Sequence, residues 1–163
     1  MEVKMNLGER KKIVPVGLYE DINADFACDS INMKNFHSAT FIVLIHATAA
    51  AAAYVKLWSG ASDGAKTSAL TFRYAYGGAA QGAANCDKLA AELTSANLAI
   101  VAAAKDDYML VIEIDGSEMD TANDEEWLTL EFLDTDGGLT GRVSVVAILE
   151  PRNSENRSAS ALS

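Results

Sequence analysis

From Tyr108 to Asp115 (YMLVIEID) apolar residues recur at every second position, with Tyr108, Leu110, Ile112 and Ile114 on one side and Met109, Val111, Glu113 and Asp115 on the other. A period of two marks a strand with one face buried, so the first set is predicted to face a core. Trp127 to Leu133 (WLTLEFL) repeats the pattern, with Leu128, Leu130 and Phe132 predicted inside and Trp127, Thr129, Glu131 and Leu133 opposite. Arg142 to Glu150 (RVSVVAILE) is a third such run, and the Gly and Asp turn Asp134–Gly141 before it predicts that the last two strands are neighbours, in an antiparallel hairpin or across a longer loop. Gly116 to Met119 reads as one turn of 3₁₀ character, followed by an acidic loop, Asp120 to Glu126.

Upstream, Ala39 to Ala47 (ATFIVLIHA) is a continuous β-branched and aromatic run, the look of a strand buried on both faces or at a subunit contact. Within it Phe41, Val43 and Ile45 are assigned to the core, and Ile42 and Leu44 to a second layer or a second subunit. Ala49 to Ala53 is predicted to be a hairpin connection into Tyr54–Ser59, where Tyr54, Lys56 and Trp58 alternate with Val55 and Leu57, and Gly60–Gly64 is a turn. Leu70 to Tyr76 predicts one strand with Leu70, Phe72, Tyr74 and Tyr76 as a stripe on a single face. Ile13 to Val16 is a short strand that Pro15 confines to a sheet edge, because proline has no N–H to donate. Leu18 to Asp29 is irregular, strand signal resumes at Ser30–Met33, and Gly77–Asn85 is a loop. Residues 86–104 have an alanine-rich helical spacing, but Ser95–Asn97 reads as a turn, so two short strands are predicted there, with one amphipathic helix as the alternative.

Eight or nine short strands separated by turn signals predict an all-β chain, an antiparallel, jelly-roll-like β-sandwich spanning residues 13–150. Residues 1–12 are predicted to form an extended N-terminal arm and residues 151–163 a C-terminal tail whose polar, small side chains cannot bury themselves unaided. Half of the 163 residues are hydrophobic, yet only 7% are aromatic and many are alanine, so the core is thin and a shared interface would help it. Thirteen Lys and Arg against 23 Asp and Glu give a formal charge of −10, which disfavours nucleic acid and anionic membrane as partners. Neither a signal peptide nor a membrane span is expected.

Candidate chemistry is sparse. His37 and His46 are accompanied by no positioned nucleophile, and the expectation is a backbone-bonded His46 in a buried strand and His37 in a turn. A zinc site would have to gather Cys28, His37, His46 and Cys86, far outside the paired spacings of zinc modules, and the two cysteines are expected to be reduced and buried. Asp134-Thr-Asp136-Gly137 begins like a calcium loop but lacks the later acidic ligands. The acidic residues between Asp115 and Asp136 read as a solvated face, with no aromatic-lined sugar cleft beside them. Gly77-Gly78 and Gly137-Gly138 belong to no phosphate-binding fingerprint. No catalytic residue, cofactor or metal is therefore predicted, and no enzymatic activity. The polar ends remain: Lys4, Arg10, Lys11 and Lys12 in the arm, and Arg152, Asn153 and Arg157 in the tail, are the candidate contacts to neighbouring subunits.

The segments YMLVIEIDGSEMD, WLTLEFLDT and VSVVAILEPR, preceded by GLYEDINADFACDSINMKNFHSATFIVLI, together resemble small structural proteins encoded beside the major capsid protein of tailed bacteriophages. The resemblance covers roughly Val16 to Arg152 and consists of strand patterns; the alanine-rich stretches Ala47–Ala53 and Gly77–Ala84 depart from the polar loops expected in relatives. It implies a head decoration, or cement, protein made in the host bacterial cytoplasm and carried on the outer capsid surface. Its partners would be the major capsid protein and copies of itself, often as a trimer. The competing readings are a carbohydrate- or receptor-binding module on a virion surface, and a tail or neck structural protein.

Overall fold

The computed structural model describes residues 7–49, 52–134, 137, 140–158 and 160–162. After a single helical turn, α1 (Leu7–Arg10), the strands in chain order are β1 (Lys12–Asp21), β2 (Phe26–Ala27), β3 (Ile31–Asn32), β4 (Phe36–Ala49), β5 (Ala52–Gly60), β6 (Ser68–Leu70), β7 (Phe72–Tyr76), β8 (Leu93–Ser95) and β9 (Leu98–Val101). A second helical turn, α2 (Ala102–Lys105), leads to β10 (Met109–Asp115), β11 (Trp127–Asp134) and β12 (Thr140–Pro151). Two antiparallel sheets result, each of six strands. The first runs β1-β12-β4-β10-β7-β8; the second runs β2-β11-β5-β6, with β3 also on β11 and β9 also on β5. Each sheet interleaves strands from the two halves of the chain, which is the wrapping of a jelly roll, as the strand pattern predicts.

The inward faces are those the alternation assigns. Leu110, Ile112 and Ile114 of β10, Leu128, Leu130 and Phe132 of β11, and Phe41, Val43 and Ile45 of β4 are all buried in one core. β4 is buried on one face only, however: Leu44, on the other, is 43% exposed. β1 is an edge strand, as Pro15 requires, but it extends to Asp21 through two register shifts. Residues 86–104 supply the two predicted strands, β8 and β9, and end in the single turn α2; Gly116–Glu118 is the expected 3₁₀ turn.

Alternation does not say which sheet a strand joins, and the corrections concern that choice. β11 and β12 are not a hairpin: β12 pairs with β1 and β4, while β11 pairs with β5, β2 and β3 in the opposite sheet. β4 and β5 likewise lie in different sheets rather than in a hairpin. The predicted strand Leu70–Tyr76 is two strands, since the chain leaves the second sheet at Leu70 and enters the first at Phe72. His37 lies within β4, exposed, and not in a turn.

A bulge sets the far end of β4. Between the pairs His46↔Arg142 and Ala49↔Thr140, two residues of β4 face one of β12, and Ala47 takes a left-handed φ of 48°. The extra residue reverses the alternation, so Thr48 points inward. Gly141 is required opposite it, because a Cβ there would stand 2.6 Å from Cγ2 of Thr48.

The outer face of the second sheet is closed by the chain itself. The segment after β5 folds back over it: a Cβ on Gly60 would stand 2.4 Å from the Ala65 carbonyl oxygen. The Gly64 N–H donates to Ser30 Oγ (3.0 Å), and Ser30 and Thr129 share a hydrogen bond of 2.6 Å. Glu131 is buried there, accepting from Trp58 Nε1 at 2.7 Å and paired with Lys66. Glu125 is also buried, accepting from Ser59 Oγ (2.5 Å) and Ser68 Oγ (3.1 Å). These two carboxylates depart from the solvated acidic face that the sequence suggests. A buried carboxylate stripped of its cation is costly, whereas an exposed pair contributes little. Lys66→Met is therefore expected to lower the unfolding free energy by about 1–3 kcal/mol. Lys34→Met, at the exposed pair with Glu126 (3.9 Å), should change it by no more than about 0.5 kcal/mol in the same urea titrations.

Candidate functional site

Register brings the two chain ends together. β1 and β12 are antiparallel neighbours, and Lys12 stands opposite Leu149, so the residues before β1 and after β12 emerge at one end of the first sheet. Before β1, α1 closes with the Lys11 N–H on the Leu7 carbonyl (2.8 Å). After β12, Asn153 caps a 3₁₀ turn, Ser154–Arg157, its Oδ1 accepting from the Glu155 and Asn156 N–H groups at 3.2 Å each. The two turns touch. Between them lies an open groove of about 570 Å³, whose lining includes Leu7, Arg10, Lys11, Glu150, Pro151, Asn153 and Arg157.

Four of the predicted contact residues thus share one site. Arg10, Lys11 and Arg157 bring three cationic groups to the groove against one carboxylate, Glu150, in a chain of net charge −10. Lys11 is paired with Glu150. Arg157 Nε donates to the Ser154 carbonyl at 2.8 Å, which holds the guanidinium beside the groove. Arg10 is exposed and has no ion pair among the described residues. Asn153 is occupied as a cap. Lys12 belongs to the edge ladder of β1. Arg152 turns away: its N–H donates to the Asn35 carbonyl (2.9 Å), its Nε to that of Phe36 (3.1 Å), and it borders a separate depression beside His37 and Asp115. Lys4 lies outside the described residues.

The tail itself corrects an expectation. It was predicted to be unable to order itself, yet Ala161 is buried in the core and its carbonyl accepts from the Asn32 N–H at 2.8 Å. Asn156 Nδ2 donates to the Asn35 carbonyl at 3.1 Å. The segment is too polar to pack on itself, and its end packs instead against the core, with Leu162 partly buried beside Ala161. Two small apolar residues, Ala161 and Leu162, were the only signal.

The other candidate groups are dispersed. Cys28 is in the core, His37 and His46 lie at opposite ends of β4, and among the described residues no three His, Cys, Asp or Glu side chains are grouped to hold a metal ion. His46 is half-buried on the outer face with its ring 6.2 Å from that of Tyr19, not enclosed in the strand layer. It shares a mainly apolar hollow of about 410 Å³ with Cys86, Tyr108 and Met109. Of the calcium-loop residues, Asp136 lies outside the described residues, while Asp134 Oδ1 accepts the Gly137 N–H at 3.0 Å, an ordinary turn.

Burial raises the Cys28 thiol far above its usual range, and the nearby charges of Asp29 and Glu20 add to the effect. Cys86 is half-exposed. Since thiolate is the reactive form, a disulfide reagent at pH 8 is expected to titrate one thiol per native chain and the second only after denaturation. Both cysteines are free, and two rapid equivalents in the native protein would contradict the buried placement of Cys28. Compared with known proteins, the chain matches no family model, no curated protein and no solved structure.

Proposed function

We propose that this chain is a binding protein rather than an enzyme: a structural component that decorates the outer surface of a tailed-phage capsid and stabilises the assembled shell. The observation that carries the reading is the groove at the joined chain ends, where Arg10, Lys11 and Arg157 concentrate positive charge on an acidic domain. Jelly-roll sandwiches serve in viral capsids and in lectins alike, so the fold alone favours both uses, and the charge of the groove supports the first. A cationic groove that also presents Leu7 and Pro151 suits an acidic peptide segment of a capsid subunit better than it suits a neutral sugar.

Stabilisation follows from linkage. A ligand that binds only the assembled lattice adds its binding free energy at every repeated site, and copies joined into an oligomer bind with added avidity. The protein acts in this reading as a homo-oligomer on the virion exterior, with the major capsid protein as its partner.

Co-sedimentation with purified heads tests this. Binding is expected to expanded, empty heads and not to unexpanded heads or free capsid subunits. The double variant Arg10→Glu/Arg157→Glu should weaken binding at least about tenfold, and rising salt should weaken the wild type in parallel. Binding to tails or necks in place of heads, or to glycans on an array, would transfer the groove to one of the competing roles. Undiminished binding by the double variant would remove it from the contact.

A further inference from the structure

The two outer faces of the sandwich differ, and the open one carries a pattern of its own. On the first sheet, Pro15 pairs with Val146, Val146 with Ile42, Ile42 with Val111, and Val111 with Ala75. Pro15, Val146, Ile42 and Val111 occupy outward-facing positions that alternate with the core residues of their strands, while Ala75, in register with them, is buried beside Leu89 and Ala90. An apolar row therefore crosses four strands outside the core, from Pro15 to Val111. Leu44, at 43% exposure, and Ile148 lie on either side of it. Glu113 and Arg73 stand at the next outward positions beside Val111 and Ala75, in register with each other. Along β12 the outward residues read Arg142, Ser144, Val146, Ile148, Glu150, so a cation and an anion stand at equal distances on either side of the row.

We infer that this face is a self-association surface, on which two copies of the chain pack sheet against sheet about a two-fold axis running along the row from Pro15 to Val111. Such an axis lays the row on itself and reverses the strands, as an isologous contact requires. Val146 then sits over Val146 of the second copy, and Arg142 faces Glu150 of the second copy, twice. Each of these charges already has a half-exposed neighbour of opposite sign, Asp21 for Arg142 at 3.5 Å and Lys11 for Glu150. Association joins the two pairs into a four-charge network on each side of an apolar centre. The Arg142 guanidinium is held in place, 4.8 Å from the centre of the Tyr19 ring.

The size is adequate. Four strands at about 4.8 Å spacing and nine residues at about 3.4 Å each cover roughly 600 Å² per copy, about 1,200 Å² in total, the lower end of stable interfaces. Edge-to-edge pairing is the weaker route, since β1 carries Pro15 and two register shifts and β8 has three residues. The second sheet cannot serve, because residues 60–67 cover its outer face. The association is a two-fold dimer, in place of the trimer that the phage resemblance implies, and it is independent of any shell.

Light scattering on the isolated protein over 1–100 µM tests it, with circular dichroism to confirm that each variant is folded. The wild type is expected to have the mass of two chains. Arg142→Glu or Glu150→Arg alone places like charges across both symmetry-related contacts and should weaken the dimer about a hundredfold. The swapped pair Arg142→Glu/Glu150→Arg should restore it, and Ile42→Lys should abolish it. A monomeric wild type, which would leave the face to a different protein, a trimer, or a dimer indifferent to Ile42→Lys would each overturn the proposal. So would failure of the swapped pair to recover while folded.

Discussion

The antiparallel ladder of β1, β12 and β4 is the constraint on which the rest of the molecule depends. β12 lies between the first long strand and the strand with the greatest apolar content, and it contributes Val143, Val145, Ala147 and Leu149 to the core. Because β1 and β12 run in opposite directions side by side, the start of one and the end of the other coincide. The groove is a product of that register: no signal in either terminal segment alone would place Arg10 beside Arg157. The same ladder sets the outward row, since Pro15, Val146 and Ile42 are aligned by it.

Much of the architecture is legible in the sequence because it depends on a two-residue period. The inward sets of β10 and β11, the edge position of β1 through Pro15, and the strands at Leu93–Ser95 and Leu98–Val101 all follow from alternation, proline chemistry or turn residues. What period cannot encode is the choice of sheet. A turn such as Asp134–Gly141 reads the same whether it joins hairpin partners or carries the chain across the sandwich, and here it crosses. The break at Thr71 is hidden for the same reason, as the apolar period runs through it unbroken. Glu125 and Glu131 were misread because their burial depends on Ser59, Ser68, Trp58 and Lys66, contacts that form only after the second sheet is assembled. At the candidate site the cations were visible as residues, while their convergence was not, and Arg152 was drawn off by the Asn35 and Phe36 carbonyls.

The two sheets have different relations to solvent. Around the second, Ser30, Thr129, Glu131 and Lys66 form a satisfied polar layer under a folded-back loop, and a buried polar group with its partners in place fixes a unique arrangement. Across the first, Leu89 and Ala90 lie beside Ala75, and the row from Pro15 to Val111 stands outside the core. The molecule is thus finished on one side and left apolar on the other, and the basic groove lies at the margin of the unfinished side.

The strand order also fixes the order in which the core becomes possible to build. β4 is complete at Ala49, but its two neighbours, β10 and β12, begin roughly 60 and 90 residues later. At about 5–20 residues per second of synthesis, this long apolar strand waits roughly 3–12 s with both edges unpaired and roughly 5–18 s before its second neighbour begins to be made. Its exposure to misassembly is therefore a matter of translation time rather than of final stability, and the first moment at which that strand is shielded on both edges is the emergence of the last strand from the ribosome.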